Sequence, residues 1–463
     1  MRQATVFLSA ALLPAAVLAV QRRGGPAFDR RVAVNAARTI DRSNEAAEAK
    51  ILDPQTECSY YNYAPVNEII HTYPPIWKTA NLSTAGIEAA ARDLFANISG
   101  SIPNIPVRGN RYGNWSNVHY NYDQDPDCWW SATNCVTPKL PGLKNDTVAC
   151  GEANTWGYTL DDGPNCSHNA FYDYLQSIDQ KATVFYIGSN VLDWPLEAQR
   201  GLQDGHEICA HTWSHPYMTG VTNEEVFAEL YYSKKAIKEL TGVTPRCWRP
   251  PYGDVDNRVR YVAEKLDLAT IVWDEDTDDW SWQQIGVPAV RARYQAILAA
   301  QAAGNFSSYG PIVLSHELDN ETMSLSMEFL PQIRKQFTGG VMPIAVCQNN
   351  SRPYVETQDY VYPNYEQWQS GTHSVSLATP TAGAVKTLAL SASSTPTSAS
   401  SVASMTASGP SRSAASTGSS STMATKSASS PHQKNTSAAS SQHAAWSVAA
   451  TTVVLALAGS LLA

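Results

Sequence analysis

His211 and His215 stand four residues apart, directly after Glu207-Ile208-Cys209-Ala210, a run that reads as a short buried strand. On a helical turn, positions i and i+4 share one face, so both imidazoles can reach one ion. Alone, this spacing is weak evidence and more often marks two partly buried structural histidines. A second stretch changes the balance. Thr159-Leu160-Asp161-Asp162-Gly163-Pro164 ends another strand-like run, Thr155 to Leu160, with adjacent carboxylates and a turn. Two histidines and one of these carboxylates make a three-ligand site with a position open for water, the usual arrangement for catalytic zinc. Thr212 and Trp213 fill the inner positions and no glutamate lies between the histidines, so this is not an H-E-x-x-H protease pattern.

The elements that must hold these residues alternate. After Thr155–Leu160, residues Asn169–Ile178 read as helix, Ala182–Ile187 as strand, Trp194–Asp204 as helix and Glu207–Ala210 as strand. Glu224–Leu240 is the clearest amphipathic helix, with Val226, Leu230, Ile237 and Leu240 on one side. Cys247–Arg249, helix Asn257–Leu266, strand Leu268–Trp273, helix Pro288–Ala303, strand Pro311–Ser315, helix Met323–Phe337 and strand Met342–Val346 follow. Repeated βα units imply parallel strands with helices outside. Seven or eight such units favour an α/β fold of the distorted (β/α) barrel kind, in which chemistry sits on the loops after the strands.

Five reactive clusters fall in that place: Asp161-Asp162, His211 to His215, Arg249 to Tyr252, Asp276 to Trp280, and His316. Each has a bland reading. Arg249 is a structural salt-bridge partner, Asp274-Glu275-Asp276-Thr277-Asp278-Asp279 a solvated acidic loop, His316 a core histidine. Their co-location favours the functional one.

These residues resemble the five motifs, in order, of the polysaccharide deacetylases of carbohydrate esterase family four, the NodB homology domain. The resemblance covers about residues 154–347 and is greatest to fungal cell-wall chitin deacetylases. Thr159-Leu160-Asp161-Asp162 is similar to T-F-D-D, with Leu160 in place of Phe. His211-Thr212-Trp213-Ser214-His215 matches H-(S/T)-x-x-H, and Arg249-Pro250-Pro251-Tyr252 matches R-x-P-(F/Y). Asp276-Thr277-Asp278-Asp279-Trp280 matches D-x-x-D-W, and Val313-Leu314-Ser315-His316 matches the last motif. The resemblance implies a NodB-type barrel in which Asp162, His211 and His215 bind one divalent ion. Zinc suits nitrogen and carboxylate donors, with cobalt the alternative. It further implies Asp161 as general base, Arg249 as its tether, His316 as general acid and Asp279 as the group that tunes it. The Tyr252 N–H would join the oxyanion hole, and Trp280 and Leu314 would wall the acetyl pocket. The implied reaction removes N-acetyl groups from chitin. Its competitors are deacetylation of xylan or peptidoglycan, and a non-catalytic wall mannoprotein that binds polysaccharide.

The rest of the chain sets the context. Charged residues make up only 16% of the 463, and the net charge of −9 argues against a nucleic-acid partner. Residues 1–19, with Arg2 before an apolar run from Ala4 to Ala19, read as a secretory signal peptide. Residues 20–50 read as a propeptide or a disordered leader, and 51–153, rich in Tyr, Trp, Pro and Asn, as an extension packing on the deacetylase domain at 154–347. A C-terminal extension at 348–373 leads to a Ser/Thr-rich stalk at 374–443 and an apolar end at 444–463. That order matches a glycosylphosphatidylinositol signal, so the expectation is a secreted monomer, lipid-anchored at the plasma membrane and cell wall.

Sequons at Asn81, Asn97, Asn114, Asn145, Asn165, Asn305, Asn320, Asn349 and Asn435 suit a glycosylated surface protein, and eight cysteines suit disulfides. In a closed barrel the points before the first strand and after the last can approach, so a Cys150–Cys347 disulfide is expected, and the resemblance favours it. Cys209 is a buried thiol or a local partner of Cys247, and Cys128 and Cys135 are close enough to staple their own loop.

Overall fold

Strands and helices alternate from residue 149 onward, and the strands in chain order are short. They are β1 (Ala149–Cys150), β2 (Thr155–Gly163), β3 (Thr183–Tyr186), β4 (Glu207–Ala210) and β5 (Cys247–Trp248). β6 (Ala269–Thr270), β7 (Glu275–Asp276), β8 (Gly310–Leu314) and β9 (Gly340–Met342) complete the sheet. The computed structural model describes residues 40–377, apart from 84, 85, 87 and 357–359. The expected signal peptide, most of the leader, the stalk beyond residue 377, the lipid-anchor signal and Asn435 lie outside the described residues.

β2 is the centre. All nine of its residues are buried, as expected of a parallel strand covered on both faces. β3 and β8 flank it in parallel, and β4, β5 and β6 continue from β3. β6 and β7 are two halves of one segment. The first half pairs with β5, the second with β8 through Glu275↔Val313 and Asp276↔Leu314. The sheet therefore curls back on itself as a distorted barrel. Where the halves part, Thr147 wedges in, its N–H donating to the Thr270 carbonyl (2.9 Å) and its carbonyl accepting from Val272 N–H (3.0 Å). β1 then runs antiparallel to β8. β9 pairs with the first three residues of β2, below β3.

The helices lie outside, and their ends are specified locally. Helix Asn223–Thr241 starts at a capping box between Thr222 and Glu225 and stops at Gly242, whose φ of 89° only glycine adopts cheaply. Its Val226, Phe227, Leu230 and Ile237 are fully buried. Each such side chain contributes about 1.5–3 kcal/mol of burial. Helix Asn320–Gln336 starts at a box between Asp319 and Thr322.

Two expectations need correction here. The last strand ends at Met342 rather than Val346, and Ile344–Cys347 is helical. Pro343 has no N–H to donate to a ladder but is well suited to begin a helix. The strand expected over Leu268–Trp273 shrinks to Ala269–Thr270, because its far end turns away from β5 towards β8. A helix at Gly188–Asp193 was not expected at all.

All eight cysteines are paired: Cys58–Cys166, Cys128–Cys135, Cys150–Cys347 and Cys209–Cys247. The last joins neighbouring strands β4 and β5. The first, which spacing did not suggest, ties residue 58 to the loop after β2. Further ties hold the residues before β1. Arg260 grips Asp146 with two bonds of 2.8 and 2.7 Å and also reaches the carbonyl oxygens of Cys128 and Cys135. Arg108 pairs with Asp127 and Asp256.

Candidate metal centre and active site

A strand alternates its side chains, so Asp161 and Asp162 should point to opposite faces. They do not. The β2–β3 register shifts between Asp161 and Gly163, and Asp162 takes a φ of 74°. This bulge is a known device for re-aiming a side chain beside an active site. Both carboxylates therefore approach the same imidazole: Asp161 Oδ2 lies 3.8 Å and Asp162 Oδ1 3.6 Å from His211 Nε2. Both residues also lie within β2 and not beyond its end.

The two histidines are not on a helical turn, contrary to the expectation from their spacing. His211 follows β4 directly, and Thr212 to His215 form a loop in which Thr212 (φ 64°) and His215 (φ 58°) are left-handed. The Thr212 hydroxyl accepts from His215 N–H at 3.1 Å. The loop folds His215 back, so that its Nε2 lies 3.2 Å from His211 Nε2 and 3.1 Å from Asp162 Oδ1. Tetrahedral bonds of about 2.0–2.1 Å would separate ligands by roughly 3.3 Å, so these three atoms fit one zinc-sized cation. The ring tautomer fits as well. His211 Nδ1 donates to the Arg249 carbonyl at 2.8 Å, which leaves the Nε2 lone pair pointing at the cluster.

The other sequence-derived residues gather around this triad. Arg249 is fully buried, its Nη1 donating to Asp161 Oδ1 (2.7 Å) and to Thr159 Oγ1 (2.8 Å). Its guanidinium carbon stands 4.2 Å from the centre of the Phe185 ring. Burial lowers its pKa and the Asp161 carboxylate raises it. On the opposite flank of β2, His316 bridges to Asp161 in parallel register. Its Nδ1 donates to Asp279 Oδ1 at 2.6 Å, and its N–H to Asp279 Oδ2 at 2.9 Å. Burial would lower the His316 pKa, but the Asp279 charge and hydrogen bond outweigh it and push it up to about 9. Asp276 is pushed up to about 7 by burial and by Asp278.

Tyr252 adopts φ 59°, its ring stacked on Tyr217 (3.9 Å between centres) and edge-on to His215 (4.7 Å). Trp280 is 47% exposed beside Asp279, and Leu314, 4% exposed, closes β8 two residues before His316. Of the sequon asparagines among the described residues, Asn97, Asn114, Asn145, Asn305, Asn320 and Asn349 are exposed, and Asn81 and Asn165 half-buried.

A buried acid beside the histidine loop escaped the sequence reading. Glu229 accepts from Trp213 N–H and Ser214 N–H, between the two histidines. Its signal was its place on the buried face, three residues after Val226 and seven before Ala236, where a charge needs partners.

Residues 149–271 match the family described as Polysaccharide deacetylase. The chain is 48% identical over 363 residues to Chitin deacetylase 2 of Cryptococcus neoformans var. grubii, which spans 77% of this chain and 77% of that one. It is 49% identical over 324 residues to a chitin deacetylase of Amylomyces rouxii, across 68% of this chain and 75% of that one. Among solved structures it is similar to the chitin deacetylase from Colletotrichum lindemuthianum, at 21% identity and TM-score 0.42 over 46% of this chain and 96% of that one. The chain therefore belongs to the polysaccharide deacetylase family, in its group of fungal chitin deacetylases.

Proposed function

We propose that the chain hydrolyses the N-acetyl groups of N-acetylglucosamine units in chitin, releasing acetate and leaving chitosan. The observation that carries the reading is the meeting of three parts: the Asp162–His211–His215 cluster, the Asp161–Arg249 pair and the His316–Asp279 pair. Relatives named chitin deacetylases at 48 and 49% identity support chitin as substrate.

Asp162, His211 and His215 would hold one divalent ion, zinc by the chemistry of the donor set with cobalt as the alternative. Such an ion acidifies water and polarises the acetyl carbonyl. Asp161 keeps Oδ1 on Arg249, so Oδ2 takes the proton of the attacking water. The water oxygen bonds the carbonyl carbon. His316, with Nδ1 committed to Asp279, donates its Nε2 proton to the departing nitrogen. The C–N bond breaks, acetate leaves, and the sugar keeps a free amine. The Tyr252 N–H, in its left-handed turn, would join the oxyanion site, and Trp280 and Leu314 would wall the acetyl group.

The localisation belongs to the same proposal. The apolar segment Ala4–Ala19, the Ser/Thr-rich residues 374–443 and the apolar 444–463 support a secreted, lipid-anchored protein at the plasma membrane and cell wall. Four disulfides suit that compartment. The substrate assignment is tested by acetate release from chitin oligomers, acetylated xylan and peptidoglycan side by side. Release from chitin should exceed the others; preference for either of the others replaces the substrate.

A further inference from the structure

We infer that Glu229 is a positioning residue for the metal ligands: it sets the loop that presents His211 and His215 and so governs how tightly the ion is held. The inference rests on the reading of Asp162, His211 and His215 as the ligands.

The loop is conformationally costly. Two of its residues, Thr212 and His215, are non-glycine residues at positive φ, and one of them is a ligand. Such conformations persist only where the surroundings over-determine them. The surroundings do so from two elements. Helix Gly188–Asp193 supplies donors to the loop's carbonyls: Gly188 N–H to Thr212 O (2.9 Å), and Ser189 N–H (3.1 Å) and Oγ (2.7 Å) to Trp213 O. Helix Asn223–Thr241 supplies the acceptor for the loop's donors. Glu229 Oε2 takes Trp213 N–H at 2.9 Å and Ser214 N–H at 2.7 Å. Its Oε1 takes the Ser214 hydroxyl at 2.7 Å and the Ala80 N–H at 2.8 Å. A carboxylate offers about four acceptor sites, and here all four are used.

Glu229 is fully buried, and so is Trp213. Removing the carboxylate would strand the Trp213 and Ser214 N–H groups away from water, where an unmet donor is costly. The cheapest relief is for the loop to leave its left-handed geometry. His215 would then move off the point it shares with Asp162 and His211. The fourth donor has a further consequence. Ala80 lies in the segment before β1 and is itself fully buried, and nearby Trp77 N–H donates to the same Ser189 that holds Trp213. The residues before the barrel thus dock on both clamps of the ligand loop.

The test measures ion affinity rather than turnover. The purified mature protein is stripped with chelator, checked for folding by circular dichroism, and titrated with Zn2+ against a competing chelator. Glu229→Ala is expected to bind Zn2+ about 10–100-fold more weakly than the unaltered chain, the range for residues that orient ligands. Glu229→Asp keeps the charge but falls short of the loop, and should weaken binding similarly. Glu229→Gln can turn its carbonyl oxygen to the Trp213 and Ser214 N–H groups and should recover most of the affinity. If Glu229→Ala does not fold, the Asp and Gln variants decide by the same comparison. Unchanged Zn2+ affinity in folded Ala or Asp variants overturns the inference, and so does equal weakening in Gln and Asp. An unaltered chain that binds no ion refutes the ligand reading beneath it.

Discussion

The Nδ1 of His211 lies 2.8 Å from the carbonyl oxygen of Arg249. One residue thus serves two neighbours: its carbonyl fixes the tautomer of a candidate ligand, and its guanidinium holds Asp161 Oδ1 at 2.7 Å. β5 delivers both groups, since Arg249 follows it directly and its N–H bonds the Ala210 carbonyl at the end of β4. Candidate ligand and candidate base are therefore set by the registry of adjacent strands.

Adjacent aspartates should give opposite phenotypes. Asp161→Asn should lower the deacetylation rate by about 10²–10⁴-fold, the usual worth of a general base, with ion binding retained. Asp162→Asn should lose the ion. Metal content after desalting, read beside acetate release, checks both. Loss of the ion in both variants would mean that the bulge at Asp162 does not separate the roles.

The acid should be visible in the pH profile. His316 is pushed up to about 9, by Asp279 against the effect of burial, so it stays protonated through neutrality. Activity should fall on the alkaline side as it loses that proton. A dication held by Asp162, His211 and His215 would pull the limb below 9, so the direction of a mutational shift is the cleaner measure. Asp279→Asn should move the alkaline limb of kcat/KM down by about 1–3 pH units. A limb that stays in place would remove His316 from the acid's role.

Stability should favour mild acid. Burial pushes Glu197 and Glu317 up to about 8, and Glu207 up to about 7, from 4.5. A raised carboxyl pKa gives stability that is complete below the unfolded value and is lost as pH rises through the folded one. His316, raised from 6.5 to about 9, has the same sign. His206, lowered by burial to about 3, has the other: its contribution is present above 6.5 and lost as pH falls. With Glu57 and Asp276 raised to about 7 and Asp274 to about 8, the raised groups outnumber His206 and the likewise lowered His168, and predict a Tm higher at pH 5.5 than at pH 8.5. Thermal melts across that range check it, and a rising Tm towards pH 8.5 would contradict these burials.

The strand-end chemistry was legible because parallel strands impose it: Asp161-Asp162, His211, Arg249 and His316 each close or follow a buried β run. What escaped depends on backbone twist. Nothing in the letters Asp161-Asp162-Gly163 announces a left-handed bulge, and H-x3-H suggests a helix where the chain makes a loop held by Glu229. Met342-Pro343-Ile344 reads as apolar strand by composition, yet Pro343 ends the ladder. Cys58–Cys166 pairs residues 108 apart, a distance over which spacing carries no information.

The proposed lipid anchor makes a separate prediction. A phosphoinositol-specific phospholipase should release the protein from cells, and mass spectrometry should find neither Ala4–Ala19 nor Val448–Ala463 in the mature chain. An intact Val448–Ala463 segment would contradict it.

In the proposed mechanism the Asp162–His211–His215 cluster holds an ion that deacetylation needs. Purified protein should be assayed for acetate release from chitin oligomers as isolated, after chelation, and after returning Zn2+ or Co2+, with folded His211→Ala alongside. The expected result is activity that chelation abolishes and metal restores, and a His211→Ala protein that neither binds the ion nor releases acetate. Full acetate release from metal-free His211→Ala protein would contradict it.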